Sequence, residues 1–264
     1  MKDPTQTTAI RKAWESQLKR RFRRLRREVD ILFTGSNMPL DSNYVEFFDT
    51  WFAKEIAFLF AGSWVARYVE QSYLHGMLLS RIATMITAVD RDTIALLKSQ
   101  AVTETTAALD AMKAQASERI SKGIMDSKSK NELSAEVNNR IDKIGQTRTL
   151  LVSHTMPVYS SDAAEINAAI ALGGDTKLLW ITRQDEKVRT THALINRKLF
   201  TPKVAMNLIG DPNCRCRVKP VQADPSKLKG YSEIRRKGIN ISAEAQIEQR
   251  LFEVSKTQAL GFFD

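Results

Sequence analysis

The residues best suited to chemistry lie in the segment from Trp180 to Cys216. Its two cysteines, Cys214 and Cys216, are separated by one residue, and His192 precedes Cys214 by 22 residues. Thiolates and imidazole nitrogens are preferred ligands of Zn²⁺, which takes four of them. Because the spacing is not the paired CxxC form typical of zinc sites, we expect hydrogen bonds to hold this turn. Bound zinc is kept as the alternative. The candidate ligands are His192, Asp211, Cys214 and Cys216, with Asp185 and His154 as further sources of a fourth ligand.

A thiol enzyme is the chemical alternative. Cys214 or Cys216 could pair with His192 as nucleophile and base, and the neighbouring arginines would lower a thiol pKa. The sequence has no motif of a known thiol enzyme, no phosphate-binding glycine loop, no HExxH and no GxSxG. We therefore expect no enzymatic activity and no small-molecule substrate, and keep a thiol- or metal-dependent enzyme as the least favoured alternative.

Positive charge is concentrated in two segments of a chain with a formal net charge of +10. Residues 1–30 contain ten basic and four acidic side chains, and residues 189–237 contain twelve and three. Such asymmetry favours a polyanionic or acidic partner that meets both segments. Nucleic acid and an acidic protein surface use the same charges, so both remain open. The side chains expected to contact DNA or an acidic partner are Arg20, Arg21, Arg23, Arg24, Arg26 and Arg27.

The elements that position these residues follow from hydrophobic periodicity. A stripe from Ile10 to Leu32 with spacings of three and four predicts a basic amphipathic helix over 1–34. A helical body is predicted over 41–145, with an N-cap at Asp41–Asn43, a break at Gly62 and loops near Gly123 and Gly145. Pro157 is expected to kink or break the next helix, because proline lacks the amide donor.

The pattern changes after a turn at Gly173–Asp175. Residues 177–182 predict a strand, and 183–222 predict irregular structure with one short helix and one or two small strands. Residues 223–264 predict a linker and a last helix at about 242–258. The fold class is therefore α+β and predominantly α-helical, with a helical N-terminal region before a small mixed domain (146–222) that carries the His/Cys turn.

The longest apolar region, 51–69, contains three charged residues, so no stable membrane span is expected. The two cysteines are too close along the chain to form a disulfide scaffold, and a reducing compartment is expected.

Over residues 3–222 the chain resembles the minor head, or head-morphogenesis, proteins of tailed bacteriophages, the Mu F-like group. The C-terminal signature is the most specific part of the resemblance. Its residues are Trp180, Asp185, Val188, Arg189, His192, Phe200 and the run Pro212-Asn213-Cys214-Arg215-Cys216. Weaker matches are Asp3 to Thr8, Phe22 to Leu25, Trp64-x3-Tyr68, Tyr73-x2-Gly76, Arg148, Thr155 and Asn167.

The resemblance implies a structural protein of the phage head that associates with the portal or the inner capsid. Its implied roles are head assembly, DNA packaging or DNA ejection, with portal protein, capsid subunits and packaged DNA as partners. A small number of copies, more than one, would lie in the virion head near the portal after assembly in the host cytoplasm. Some members carry CxxC where this chain has Arg189 and His192, and histidine where it has Asp211, so only part of a four-ligand set is kept here. The implied structural motif comprises Trp180, Asp185, Arg189, His192, Asn213, Cys214 and Cys216, with Arg189 expected to pair with Asp185.

Overall fold

A computed structural model describes residues 3–60, 63–80, 86–173, 176–183 and 185–221. Its helices are α1 (Thr8–Gly35), α2 (Ser42–Leu59), α3 (Ser63–Ser80), α4 (Ala88–Met125), α5 (Lys130–Ile144), α6 (Leu150–Leu172), α7 (Thr190–Leu194) and α8 (Pro202–Met206). A π-helical turn, Gly145–Thr149, connects α5 with α6, and the strands are β1 (Lys177–Ile181), β2 (Leu199–Phe200) and β3 (Arg217–Val221). The prediction of a predominantly helical α+β protein is confirmed.

Internal contacts divide the chain into two compact units. Of the described residues, the first contains those within 1–8, 72–94 and 157–221, and the second contains those within 9–71 and 95–156.

The second unit is a packing of amphipathic helices. One face of α1 is buried through Trp14, Leu18, Phe22, Leu25, Val29 and Phe33. The stripe therefore ends at Phe33 rather than at the predicted Leu32, because Phe33 lies four residues after Val29 and stays on the inner face. The stripe packs on aromatic side chains of α2 and on Phe60, the residue that follows α2; the ring centroids of Phe22 and Phe60 are 5.0 Å apart. Asp41 caps α2 by accepting the amide of Asn43 at 2.9 Å, as predicted.

The first unit joins a small sheet to the C-terminal half of α6. The strand order is β2-β1-β3, and both pairings are antiparallel. Alternation along β1 buries Leu178 and Trp180 on one face, and Trp180 lies opposite Val218 of β3. Nearly every residue of α6 from 158 to 169 is buried, so this helix is central to the unit.

Two predictions of local structure are wrong, and for Pro157 the structure excludes a break in the helix. Gly145 does not lie in a loop but begins the π-helical turn, where the ring of Phe22 packs against it closely enough that a Cβ would lie 3.1 Å away. Pro157 does not break α6, because the fixed φ of proline suits a helix and buried neighbours on both sides stabilise the turn that lacks one hydrogen bond. Residues 183–221 contain two short helices, α7 and α8, rather than one.

The predicted linker and helix in 223–264, the break at Gly62 and the residues Gly174 and Asp175 of the predicted turn lie outside the described residues. Across the part of the chain that is described, no helix is long and apolar enough to span a membrane.

Candidate functional site

The candidate site lies in the first unit, where α7 and the turn before β3 meet. Gly210 and Asn213 both adopt positive φ, at 93° and 57°. The amide of Cys214 donates to the carbonyl of Asp211 at 3.0 Å, which closes a four-residue turn with Pro212 second and Asn213 third. This is the type II pattern, in which the third residue needs a left-handed conformation that asparagine tolerates better than most side chains. The turn directs both cysteine side chains inward.

His192, Cys214 and Cys216 form one buried group, called here the His/Cys cluster. The Nδ1 atom of His192 lies 3.4 Å from the Sγ atom of Cys214 and 3.4 Å from that of Cys216. The amide of Cys216 donates to Cys214 Sγ, also at 3.4 Å. Trp180 covers the cluster, since its ring stands edge-on to the imidazole with 5.3 Å between centroids. The three ligand atoms are close enough together that the cluster could hold a metal ion.

Asp211 contacts the opposite side of the imidazole. Its Oδ2 atom lies 3.1 Å from Nε2 of His192, whereas both sulfurs face Nδ1. Among the described residues, the predicted fourth ligand is therefore not part of the group that could share an ion. A carboxylate on the outer nitrogen fixes the ring orientation and makes the inner nitrogen more basic, which is the role of an outer-shell partner in metal sites.

The hydrogen bonds of the cluster shift the pKa values of its members in opposite directions. Bonds from the Cys216 thiol and from His192 lower the pKa of Cys214 to about 5, against the effect of burial. Burial opposes the charge on His192, but the bonds to Asp211 and Cys214 raise its pKa to about 9. The neighbouring thiolate and burial raise the pKa of Cys216 well above its ordinary range. Both shifts favour the charged forms, so a Cys214 thiolate and a His192 imidazolium would stabilise each other.

The arginines around the cluster are each bound to a carboxylate, which corrects two expectations. Arg189 pairs with Asp211 at 3.1 Å rather than with Asp185, as was expected, and it also donates to the Pro212 carbonyl at 2.6 Å. Asp185 instead receives a two-pronged bond from Arg215, at 2.7 Å for each pair of atoms. The low pKa of Cys214 accordingly comes from Cys216 and His192 rather than from the arginines. Asp185, Arg189 and Asn213 act by fixing the loops that carry the cluster.

Two buried carboxyl groups on α6 were missed by the sequence interpretation. Asp162 accepts the amide of Val218 at 3.2 Å, and Glu165 accepts Arg217 Nε at 2.7 Å. Burial raises the pKa of Asp162 well above its ordinary value, and it raises that of Glu165 to about 7 although Arg217 opposes this. Together they attach β3, and hence the chain after Cys216, to α6. The available signal was a pair of acidic residues in an otherwise alanine-rich, apolar helix.

The space next to the cluster is small. A cavity of about 100 Å³ lies against it, lined among others by Val188, Arg189, Pro212 and Asn213. Cys214 and His192 are 8% and 7% exposed. Small-molecule sites usually enclose about 300–1,000 Å³, so the cluster faces a space of the size of a few water molecules.

The six predicted contact arginines all lie on α1 in the second unit, but they differ in environment. Arg20, Arg23, Arg24 and Arg27 are exposed. Arg21 is half-buried, donates to the Leu59 carbonyl and stacks on Trp64 at 4.5 Å. Arg26 is half-buried and pairs with Asp142 at 2.7 Å. Arg21 and Arg26 are thus engaged within the unit.

A groove of about 890 Å³ runs along one flank of α1. Two of its four basic side chains are neutralised in ion pairs, Lys19 with Glu15 at 2.5 Å and Arg26 with Asp142 at 2.7 Å. The other two, Lys12 and Arg23, are exposed and form no ion pair within the described residues.

No family model, no curated protein and no solved structure matches this chain.

Proposed function

We propose that this protein is a structural component of a tailed-phage head, associated with the portal or the inner capsid during head assembly, DNA packaging or DNA ejection. The observation that carries the proposal is the outer face of α1. Arg20, Arg23 and Arg27 are exposed and form no ion pair within the described residues, while the inner face of the same helix is fully buried. A fixed helix thereby presents unneutralised cations to an anionic partner.

The geometry of the first unit supports a structural role over turnover. Cys214, His192 and Asp211 lie in the order nucleophile, base and orienting carboxylate. However, the thiolate is buried and the adjoining cavity of about 100 Å³ leaves little room for a substrate. The bonds from Arg189 and Arg215 fasten the same loops. We therefore propose that the His/Cys cluster stabilises the shape of this unit.

Sequence-nonspecific DNA binding outside a virion is the rival function, and the same arginines support it. Neutralising phosphates releases counterions, so such a protein would bind duplex DNA with an affinity that falls steeply with salt. Head association separates the two functions, because only the head protein copurifies with assembled particles.

The test is to purify heads assembled from the genome that encodes this chain and to search for the chain by mass spectrometry. A second preparation carries Arg20→Glu, Arg23→Glu and Arg27→Glu, and a control carries Arg119→Glu, an exposed arginine of α4. We expect the wild-type chain and the control in heads, and a loss of at least tenfold for the triple variant. Absence of the wild-type chain from purified heads would contradict the proposal.

For the His/Cys cluster we propose zinc as the ion that its donors select. One imidazole nitrogen and two thiolates supply three of the four donors that zinc takes, and Asp211 orients the imidazole from outside. Bound zinc would hold α7 to the turn before β3. The measurement is the metal content of protein purified without chelator. We expect about one zinc per chain in the wild-type protein and in the surface variant Arg119→Glu, and loss of the zinc in Cys216→Ser. A zinc content near zero in the wild-type protein would refute zinc binding.

A further inference from the structure

The exposed face of α1 carries more than positive charge. Arg20, Arg24, Arg27 and Ile31 follow one another with spacings of four, three and four, so they share one side of the helix. All four are exposed, and Ile31 is 55% exposed although it is a large apolar side chain. This α1 row ends in an apolar residue that the unit does not cover.

Helix α2 has an exposed row of its own. Phe47, Lys54 and Phe58 are spaced by seven and four residues and therefore lie on one side of α2. Phe58 is 64% exposed and Phe47 is 36% exposed. Leaving a phenylalanine in water forgoes stabilisation that burial would give, so two such residues beside a basic row mark a contact surface rather than plain solvent-facing helix.

The two rows lie side by side. Phe22 of α1 packs on Phe60 at one end, and Phe33 packs on Phe48 at the other with 6.2 Å between centroids, so α1 and α2 run antiparallel. The guanidinium of Arg24 lies 5.0 Å from the ring centroid of Phe58, which joins the rows into one surface. We call it the α1–α2 face.

We infer that the α1–α2 face binds an acidic amphipathic helix of a protein partner; this inference rests on the proposed function and specifies the anionic partner as protein rather than DNA. Phosphate backbones attract arginines but offer nothing to Phe47, Phe58 and Ile31. An amphipathic helix lying along this face would supply apolar anchors for the aromatic rings and carboxylates for the arginines. Aromatic residues and arginine are also the side chains enriched in protein interfaces.

The dimensions fix the length of the partner helix. From Arg20 to Ile31 the α1 row covers about 16 Å at 1.5 Å per residue. A partner helix of about three turns, with apolar side chains every three or four residues and Glu or Asp beside them, matches this length and charge.

The experiment is a fluorescence-anisotropy titration of the full chain with three labelled probes. One is an 18-residue peptide with leucine on one helical face and glutamate elsewhere, the second has the same residues in scrambled order, and the third is an 18-base-pair DNA duplex. The protein variants are Phe58→Ala and the triple variant Arg20→Glu, Arg24→Glu, Arg27→Glu. Matched controls are Met125→Ala, which removes a side chain that is 77% exposed on α4, and Arg119→Glu on the same helix.

We expect Phe58→Ala to weaken binding of the amphipathic peptide at least tenfold and to change DNA binding less than twofold. We also expect the wild-type protein to bind the scrambled peptide at least tenfold more weakly than the ordered one. Equal binding of both peptides, or peptide binding unaffected by Phe58→Ala, would overturn the inference. Peptide binding unaffected by the triple variant would overturn it too. In either case the proposed function still stands if the wild-type chain is found in purified heads, and it fails as well if the chain is absent from them.

Discussion

Replacing Gly76 with alanine tests how the first unit supports the His/Cys cluster. Gly76 lies on α3 where it meets α6, and a Cβ built there would be 2.2 Å from the carbonyl oxygen of Ser161 and 2.8 Å from its C and Cα atoms. All three are backbone atoms of a helix, so the clash cannot be relieved by turning a side chain. To restore van der Waals contact, the helices would have to separate by about 1 Å.

Two opposing free energies set the expected effect of Gly76→Ala. Alanine in place of glycine favours a helix interior by about 1 kcal/mol. Overpacking of this kind costs about 1–3 kcal/mol and sometimes more, and contact with rigid backbone places the cost at the upper end. We therefore expect a net destabilisation of about 2 kcal/mol. Gly35→Ala is the matched control, because nothing lies within 4 Å of its added Cβ, and its stability should equal or exceed that of the wild type.

Urea unfolding followed by circular dichroism measures the free energy of unfolding of both variants. A second readout is the thiolate absorbance of Cys214 near 240 nm. Displacement of α6 would move the attachments from Asp162 to Val218 and from Glu165 to Arg217, and the cluster with them. If Gly76→Ala is as stable as the wild type, the close packing of α3 on α6 is wrong and the argument fails.

Two further predictions concern titration. In chelator-treated protein the Cys214 thiolate should disappear as pH falls through about 5. His192→Ala should move the midpoint of this titration upward by at least one pH unit, because the imidazolium that stabilises the thiolate is lost. An unchanged midpoint in the absorbance at 240 nm would contradict the ion pair. Since burial raises the pKa of Glu165 from 4.5 to about 7, the folded state binds the proton more tightly than the unfolded state, and the stability from this group is complete below pH 4.5 and lost as pH rises through 7. Glu165→Gln should flatten the unfolding free energy between pH 4.5 and 7, measured by urea titration, and an equally steep curve in this variant would rule out Glu165 as its source.

Local sequence signals predicted most of the helical architecture. The stripe on α1, the cap at Asp41 and the strand after Gly173 depend on neighbours within a few residues, and the structure has each of them. The loop predicted near Gly145 was wrong, and α6 continues through Pro157, because both residues are weak helix formers whose cost is offset by contacts from distant residues, such as Phe22 against Gly145.

For the site, the sequence indicated the right residue types but not their pairing. His192, Cys214 and Cys216, named as candidate ligands from their residue types, come together in one buried group. The partner of Asp185 is Arg215 rather than Arg189, since several arginines of equal charge lie within a short segment and only the folded loops decide which one reaches it. Asp162 and Glu165 were missed for a related reason: an acidic residue in a helix is ordinarily exposed, and only packing on the sheet buries these two.

What the sequence by itself determined is therefore most of the long helices, the basic outer face of α1 and the chemistry available to the His/Cys cluster, because periodicity and residue type are local properties. The tertiary structure alone decided that Asp211 meets the outer nitrogen of His192 while the sulfurs meet the inner one, and that Phe58 stays exposed beside Arg24. These outcomes depend on distances between residues far apart in the chain, and such distances are fixed only when the elements pack.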